Sequence, residues 1–131
     1  MKNFMQIYTK KAPPVLGPYS QGIKINNLLI TSGQIPINPK TKMIPKKIFD
    51  QTTLVLENIK SIILASNFHI KNIVKTTIFT TRLDKIHKIN GAYENFFIKN
   101  KVSIFPARSC VEVSKLPLNV KIEIEAISYK K

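Results

Sequence analysis

Two segments of the chain repeat apolar residues at the spacing of an amphipathic helix. Between Ile48 and Ser66 the apolar positions recur at steps of three and four residues, and the same steps return over residues 85–99. Such steps place side chains on one helical face, so the pattern predicts two helices that each bury one side. Asn67 follows the first helix where a left-handed C-cap residue is favoured, and Asp84 is placed to cap the start of the second.

The other apolar segments are short or alternate with polar residues, as strands do. We predict six strands, at residues 6–9, 19–25, 28–32, 73–80, 107–113 and 120–129. In the fourth strand Val74, Thr76 and Ile78 are expected to share a face, and Asn26-Asn27 predicts a tight turn between the second and third. The order β-β-β-α-β-α-β-β predicts an α+β fold, with both helices on one face of a mixed sheet.

Length and composition favour a single domain over residues 1–131. The chain is 44% hydrophobic, and no apolar run approaches the ~20 residues of a membrane helix. The N-terminal residues lack the apolar segment of a signal peptide. Cys110 is the single cysteine, which excludes an intrachain disulfide and does not favour a cysteine-based metal site. We therefore predict a cytoplasmic protein without a membrane segment or a bound metal.

The net charge of +14, from 21 basic and 7 acidic residues, invites a nucleic-acid interpretation. The basic residues are 19 Lys and only 2 Arg, however, and they accompany 21 Ile and 11 Asn. Lys, Ile and Asn are the residues that AT-rich codons favour, and the lysines are spread over the whole chain. The charge is therefore explained by genome composition at least as well as by a nucleic-acid surface, and it does not favour a nucleic-acid partner.

Strand alternation gives the last two strands a polar face. Arg108, Cys110 and Glu112 share one face of their strand, and Glu123 and Glu125 share one face of the next. If the apolar faces lie under the helices, the arginine, the thiol and the carboxylates occupy the second face of the sheet. That face is either wet or covered by another subunit, which would enclose a polar pocket. Arg108 then either clamps a carboxylate ligand bidentately or forms a structural ion pair with Glu123.

At these residues the sequence resembles the RidA group of the Rid family (reactive intermediate deaminases, also called YjgF). The resemblance spans about residues 12–129, and the run around Arg108 is its most specific part. The motifs that carry it are Gly17-Pro18-Tyr19-Ser20-Gln21-Gly22, Thr31-Ser32-Gly33-Gln34-Ile35-Pro36, Ile73-Val74-Lys75-Thr76-Thr77, Tyr93-Glu94-Asn95-Phe96-Phe97, Phe105-Pro106-Ala107-Arg108-Ser109-Cys110-Val111-Glu112-Val113 and Lys121-Ile122-Glu123-Ile124-Glu125-Ala126.

The resemblance implies a chorismate-mutase-like fold and a homotrimer with clefts between subunits. It also implies an activity, the hydrolysis of reactive enamines and imines such as 2-aminoacrylate and 2-iminobutanoate to 2-keto acids and ammonia. Pyridoxal-phosphate dehydratases release such intermediates, so the role would be control of metabolite damage. No cofactor and no metal is implied, and the partner is a small-molecule 2-imino or 2-enamino acid.

The resemblance also assigns site residues. Arg108 would clamp the substrate carboxylate with help from the backbone N–H of Cys110, and Glu123 would position or activate water and shuttle protons. Four further positions would line the cleft or bind substrate, namely Tyr19, Ser32, Gly33 and Asn90.

Other interpretations of the sequence stay open. Cys110 is a candidate nucleophile, but neither His69 nor His87 falls in a motif that would supply its base. The alternative function is an RNA-binding protein or endoribonuclease that inhibits translation, an activity attributed to some Rid relatives and supported here only by the charge. A non-catalytic trimer that binds small carboxylates would need Arg108 but leaves Glu123 without a task.

Overall fold

A six-stranded sheet with two helices packed on one face makes up the computed structural model, which describes residues 4–131. The strands are β1 (Phe4–Ile7), β2 (Gly22–Ile25), β3 (Leu28–Thr31), β4 (Ile73–Thr80), β5 (Ala107–Glu112) and β6 (Ile122–Tyr129). The helices are α1 (Ile48–Ala65) and α2 (Ile86–Lys99). The strand order is β1-β2-β3-β6-β4-β5, and β4 pairs with β5 in parallel while the other pairs are antiparallel. The predicted α+β class and element order are confirmed.

Helix α1 supplies much of the core, because its apolar positions keep one face against the sheet. Val55, Ile59, Ile62 and Ile63 are fully buried there. Asn67 has φ of 62°, and the N–H of the following residue donates to the carbonyl of Ile63. This is the left-handed helix end that the sequence predicts. Neither helix in the described part of the chain is long and apolar enough to cross a bilayer.

Helix α2 begins one residue later than predicted, and Asp84 does not cap it. Asp84 lies in a 3-10 turn (Leu83–Lys85) and its carboxylate accepts two hydrogen bonds from Arg82, at 2.9 and 3.0 Å. The N-cap residue is Lys85, which makes no side-chain cap. The prediction failed because a neighbouring arginine competes for the carboxylate. Gly91 leaves α2 unbroken.

A bulge near the start of β4 changes which residues share its buried face. The register against β6 shifts between Ile73 and Lys75, so Val74 is 47% exposed while Thr76 and Ile78 are buried. The prediction that Val74 shares their face is therefore wrong, because one extra residue reverses the alternation.

Candidate active site

The Glu123 carboxylate lies against the loop that follows β3. Gln34 and Ile124 exchange backbone hydrogen bonds of 2.8 and 3.1 Å, which hold this loop against β6. A Cβ atom on residue 33 would lie only 2.9 Å from Cδ of Glu123. Gly33 does not have a positive φ, so the glycine is needed here for space rather than for backbone conformation.

A cavity of about 570 Å³ opens beside this carboxylate on the sheet face opposite the helices. Tyr19, Ser32, Gly33 and Glu123 all line it, as does Glu125. Four of the residues singled out from the sequence are therefore neighbours in the folded chain.

Hydrogen bonds to the chain around Tyr19 hold the wall of this cavity in place. The Ser32 hydroxyl donates to the carbonyl of Ser20 at 2.5 Å, and the Tyr19 hydroxyl accepts from the N–H of Leu16 at 3.2 Å. The buried amide of Gln21 bonds the backbone of Thr9 in both directions. A segment without regular secondary structure thus keeps a defined shape, because buried polar groups tie it down.

The environment of Glu123 favours its neutral form. Burial raises the pKa of this carboxyl above its ordinary value of 4.5, and the nearby charge of Glu125 raises it further. A carboxyl whose pKa moves toward neutral pH exchanges protons more readily near that pH, which is the property of a general acid or base.

Arg108 projects from β5, the edge strand of the described sheet. It pairs in register with Thr76 of β4, and its Cζ lies 5.0 Å from the centroid of the Tyr93 ring. The Tyr93 and Thr76 hydroxyls are 2.7 Å apart in a buried hydrogen bond, which fixes the ring. The guanidinium therefore rests on an aromatic face that cannot easily rotate away.

The position of Tyr93 places Arg108 on the helix side of the sheet. Cys110, in register with buried Ile78, packs against the hydrophobic core. The prediction that Arg108 and Cys110 share the second sheet face with the carboxylates of β6 is therefore wrong. The alternation along β5 is as predicted, but its face was misassigned because the strand has no strongly apolar side. An Arg108–Glu123 ion pair within one subunit is excluded, because the two side chains leave the sheet on opposite faces.

The backbone N–H of Cys110 points to the open edge of the sheet. The N–H of Val113 donates to the carbonyl of Thr80 at 2.9 Å, on the β4 side. Because successive N–H groups alternate along a strand, that of Cys110 faces away from β4, toward the edge. The Cys110 thiol, unlike this N–H, does not suit a role in the reaction. Burial raises the pKa of the thiol and so disfavours the thiolate that nucleophilic catalysis needs.

Three further residues belong to the description of the site, namely Asn90, Glu112 and Tyr93. Asn90 is exposed on α2, one turn before Tyr93 and therefore on its side of the helix. Glu112 accepts the N–H of Leu83 at 3.1 Å. Tyr93 is the residue that sequence reasoning missed. The helical spacing of Tyr93 predicts an aromatic residue of the core, and Tyr93 is buried there. Its contact with Arg108 could not be predicted, because that contact depends on how β5 pairs with β4.

The chain therefore carries two separate groups of candidate residues. Tyr19, Ser32, Gly33 and Glu123 lie on the open sheet face, whereas Arg108, Cys110 and Asn90 lie toward the helices and the β5 edge. Among residues 4–131 no three His, Cys, Asp or Glu side chains are grouped as a metal site would require.

Comparison with known proteins identifies close relatives over nearly the whole chain. The family described as endoribonuclease L-PSP matches residues 9–130. A RutC family protein of Buchnera aphidicola subsp. Schizaphis graminum is 60% identical over 95% of this chain and 97% of its own. The 2-iminobutanoate/2-iminopropanoate deaminase of Escherichia coli K12 is 47% identical over the same shares. The crystal structure of E. coli TdcF with bound serine superposes with a TM-score of 0.95, at 42% identity, over 97% of this chain and 99% of that one.

Proposed function

The chain belongs to the endoribonuclease L-PSP family, also called the YjgF/Rid family, and on that premise we propose that it is an enamine/imine deaminase. Its substrates would be 2-aminoacrylate and 2-iminobutanoate type acids, which it would hydrolyse to 2-keto acids and ammonia in the cytoplasm. The observation that carries the proposal is that the chain presents a guanidinium fixed over an aromatic ring and, on the other face of the sheet, a half-buried carboxyl whose pKa is raised. The name of the E. coli relative at 47% identity agrees with this activity.

We propose further that the site is completed between subunits of a homotrimer. Arg108 and Glu123 leave opposite faces of the sheet, so a substrate that touches both needs a second copy of the chain. The open face also exposes Ile30, Val111 and Tyr129, each by more than two-fifths of its surface. Exposed apolar side chains on an uncovered sheet face favour coverage by another subunit.

The proposed reaction begins with binding of the substrate carboxylate. The Arg108 guanidinium forms two parallel hydrogen bonds with it, and the N–H of Cys110 at the sheet edge donates a third. This orients the C2 imine carbon toward Glu123 of the neighbouring subunit. Tyr19 and Ser32 form the wall, and Gly33 leaves room for the carboxyl. Asn90, on the Arg108 side, is placed to contact the substrate.

Hydrolysis then requires one water and a proton carrier. An enamine substrate first takes a proton from solvent at C3, which gives the protonated imine. The Glu123 carboxylate accepts a proton as the water oxygen bonds to C2 and the C=N π electrons move to nitrogen, which gives a carbinolamine. The Glu123 carboxyl then passes this proton to nitrogen. As the C–N bond breaks and the C2–O bond becomes a carbonyl, the hydroxyl proton moves to the Glu123 carboxylate, and the carboxyl finally gives it to the departing ammonia, which leaves as ammonium. Because the raised pKa of Glu123 brings its neutral form closer to neutral pH, one residue serves in these proton transfers.

An assay of ammonia release from freshly generated 2-aminoacrylate tests this proposal. We expect Arg108→Ala and Arg108→Lys each to lower kcat/KM by about a hundredfold or more, because neither alanine nor lysine can form the bidentate pair. Arg82→Ala is the matched control, since it removes the chain's other arginine, which is exposed and paired with Asp84. Turnover by Arg108→Ala at the rate of the control would refute the assignment.

The alternative function, an RNA-binding protein or endoribonuclease, draws on the description of the matching family and on the +14 charge. RNA cleavage that is lost in Arg108→Ala and kept in Arg82→Ala would favour it over the deaminase. RNA binding that survives Arg108→Ala and weakens with salt would indicate surface electrostatics instead.

A further inference from the structure

A second cavity, of about 170 Å³, opens where the two helices begin, and most of its wall is cationic. It shares no lining residue with the cavity beside Glu123. The residues that line it are Lys47, Ile48, Phe49, Arg82, Lys85, Lys88 and Lys121.

The crowding of cations at this cavity goes beyond the basic composition of the chain. Lysine and arginine make up 21 of the 131 residues, but five of the seven residues that line the cavity. A genome that favours lysine codons explains a high number of lysines in the chain. It does not explain why several of them lie around one cavity. Like charges around a small cavity repel each other and destabilise the fold unless an anion offsets them.

The N-terminus of α1 adds to the positive potential of this cavity. Lys47 is its N-cap residue and makes no side-chain cap, and Asp50 is the one acidic residue of its first turn. The start of α2 is different, because α2 continues the 3-10 turn Leu83–Lys85, where the N–H of Ile86 donates to the carbonyl of Leu83 and the N–H of Leu83 donates to the Glu112 carboxylate. The positive end of the α1 dipole is therefore the one that adds to the charge of the lysines.

Two of the cations are held in place by the chain itself. The Lys121 ammonium donates to the carbonyl of Lys46 at 2.6 Å. Arg82 is held by Asp84, which offsets part of its charge. Lys47, Lys85 and Lys88 form no salt bridge within residues 4–131, so their charges remain for a ligand.

We propose that this cavity is a binding site for the phosphate group of a small phosphorylated molecule. Its volume is below the roughly 300 Å³ at which pockets for drug-sized ligands begin, so it encloses a phosphate or diphosphate and leaves the rest of the molecule outside. Lysine ammonium groups and helix N-termini are the groups that recognise phosphate oxygens in proteins. The site is independent of the deaminase site and does not rest on that function.

Calorimetric titration of the full-length protein with inorganic pyrophosphate, at about 0.15 M ionic strength, tests the proposal. We expect Lys85→Gln/Lys88→Gln to weaken binding by about tenfold or more, because two charge-assisted contacts are lost. The matched control is Lys10→Gln/Lys11→Gln, which removes the same charge from an exposed segment outside the cavity. We expect its affinity to stay within about twofold of wild type, since distant surface charges are screened.

Equal weakening in the two double variants would overturn the proposal, because binding would then follow the net charge. Absence of pyrophosphate binding to the wild type at millimolar concentration would also overturn it. If Lys85→Gln/Lys88→Gln fails to fold, as judged by its circular dichroism, Lys47→Gln/Lys88→Gln replaces it with the same expected loss.

A single-stranded RNA oligonucleotide in the same titration distinguishes the two sources of phosphate. We expect pyrophosphate to bind wild type and to displace any RNA whose binding depends on Lys85 and Lys88. Binding of the RNA alone, with no pyrophosphate binding, would show instead that these lysines contact a nucleic-acid backbone.

Discussion

The regions around Arg108 and Glu123 hold opposite charges in different ways. Arg108 stands on an edge strand with its guanidinium over the Tyr93 ring, and an arginine keeps its charge at every physiological pH. Glu123 stands on a strand inside the sheet, against a glycine, where burial and a second carboxylate raise its pKa. One region is suited to permanent binding of an anion, and the other is suited to proton transfer.

Under the proposed function, this difference explains why neither region would be an active site alone. A carboxylate bound at Arg108 lies near Tyr93 and Cys110, two groups whose pKa values are raised by burial, and away from the Glu123 carboxyl. An imine beside Glu123 has no fixed cation to orient it, and Glu125 in the same cavity repels its carboxylate. The proposed reaction needs both regions, and the fold of one subunit keeps them on opposite faces.

The largest effect predicted from this comparison comes from mixing two variants that each lack one of the two groups. Arg108→Ala keeps Glu123, and Glu123→Gln keeps Arg108, so sites built from two subunits can regain both groups. If the variants are unfolded together in equal amounts and refolded into mixed trimers, we expect about a quarter of wild-type activity, because one site in four combines the two intact residues. The measurement is ammonia release per subunit.

Two controls make this mixing experiment decisive. Each variant refolded alone should stay near its own low activity, and variants mixed without unfolding should show no recovery. Recovery that is absent after refolding, in trimers shown by mass to be mixed, would mean that Arg108 and Glu123 do not meet across subunits.

The sequence predicts the elements well because each has a local physical signal. The three- and four-residue steps of α1 and the left-handed Asn67 depend only on nearby residues, and the structure agrees with both. The bulge at Val74 could not be predicted, because it is a property of how β4 aligns with β6. Asp84 was misassigned for a different reason, because its carboxylate pairs with Arg82, two residues earlier in the chain, and does not cap α2.

The sequence predicts the individual residues of the candidate site, but not how they are arranged in space. Resemblance selects Tyr19, Ser32, Gly33 and Glu123, and the structure brings them to one cavity. The face of Arg108 depends on which side of β5 meets the helices, and a strand with Arg, Ser, Cys and Val in succession has no strong apolar side to decide it. Long-range pairing with Thr76 and the Tyr93 ring settles the matter, and no local pattern encodes that contact.

A smaller effect is predicted for the pH dependence of activity. If Glu123 must be ionised to accept the water proton, kcat/KM falls as pH drops through its pKa, which lies above the ordinary 4.5. Glu125→Gln removes a charge that raises this pKa, so the acidic limb should move to lower pH, while burial still keeps the pKa of Glu123 above its ordinary value. The pH profile of kcat/KM measures the shift.

The stability of the protein should respond with the sign that burial of Glu123 dictates. Because folding raises the pKa of Glu123, the protonated form stabilises the fold, and this contribution is lost as pH rises through the raised value. Glu123→Gln, which stays neutral, should lose that part of the pH dependence in thermal unfolding.

The activity profile has its own contradicting outcome. If the acidic limb of kcat/KM does not move in Glu125→Gln, the limb does not report the ionisation of Glu123.

The smallest predicted effect concerns Tyr93, which acts on the Arg108 region without touching substrate. Tyr93→Phe keeps the ring but removes the hydroxyl that bonds Thr76 at 2.7 Å, so a buried hydroxyl loses its partner. We expect a loss of about 1–2 kcal/mol in the free energy of unfolding, measured by denaturant titration, with KM nearly unchanged.

Tyr93→Leu removes the ring itself, and with it the cation–π contact of about 0.5–1 kcal/mol that orients Arg108. KM should then rise about two- to fivefold while kcat changes little, because carboxylate binding weakens and the Glu123 chemistry is untouched. If both variants change KM equally, the Tyr93 hydroxyl rather than its ring positions Arg108. The cation–π contact would then not be what holds the guanidinium in place.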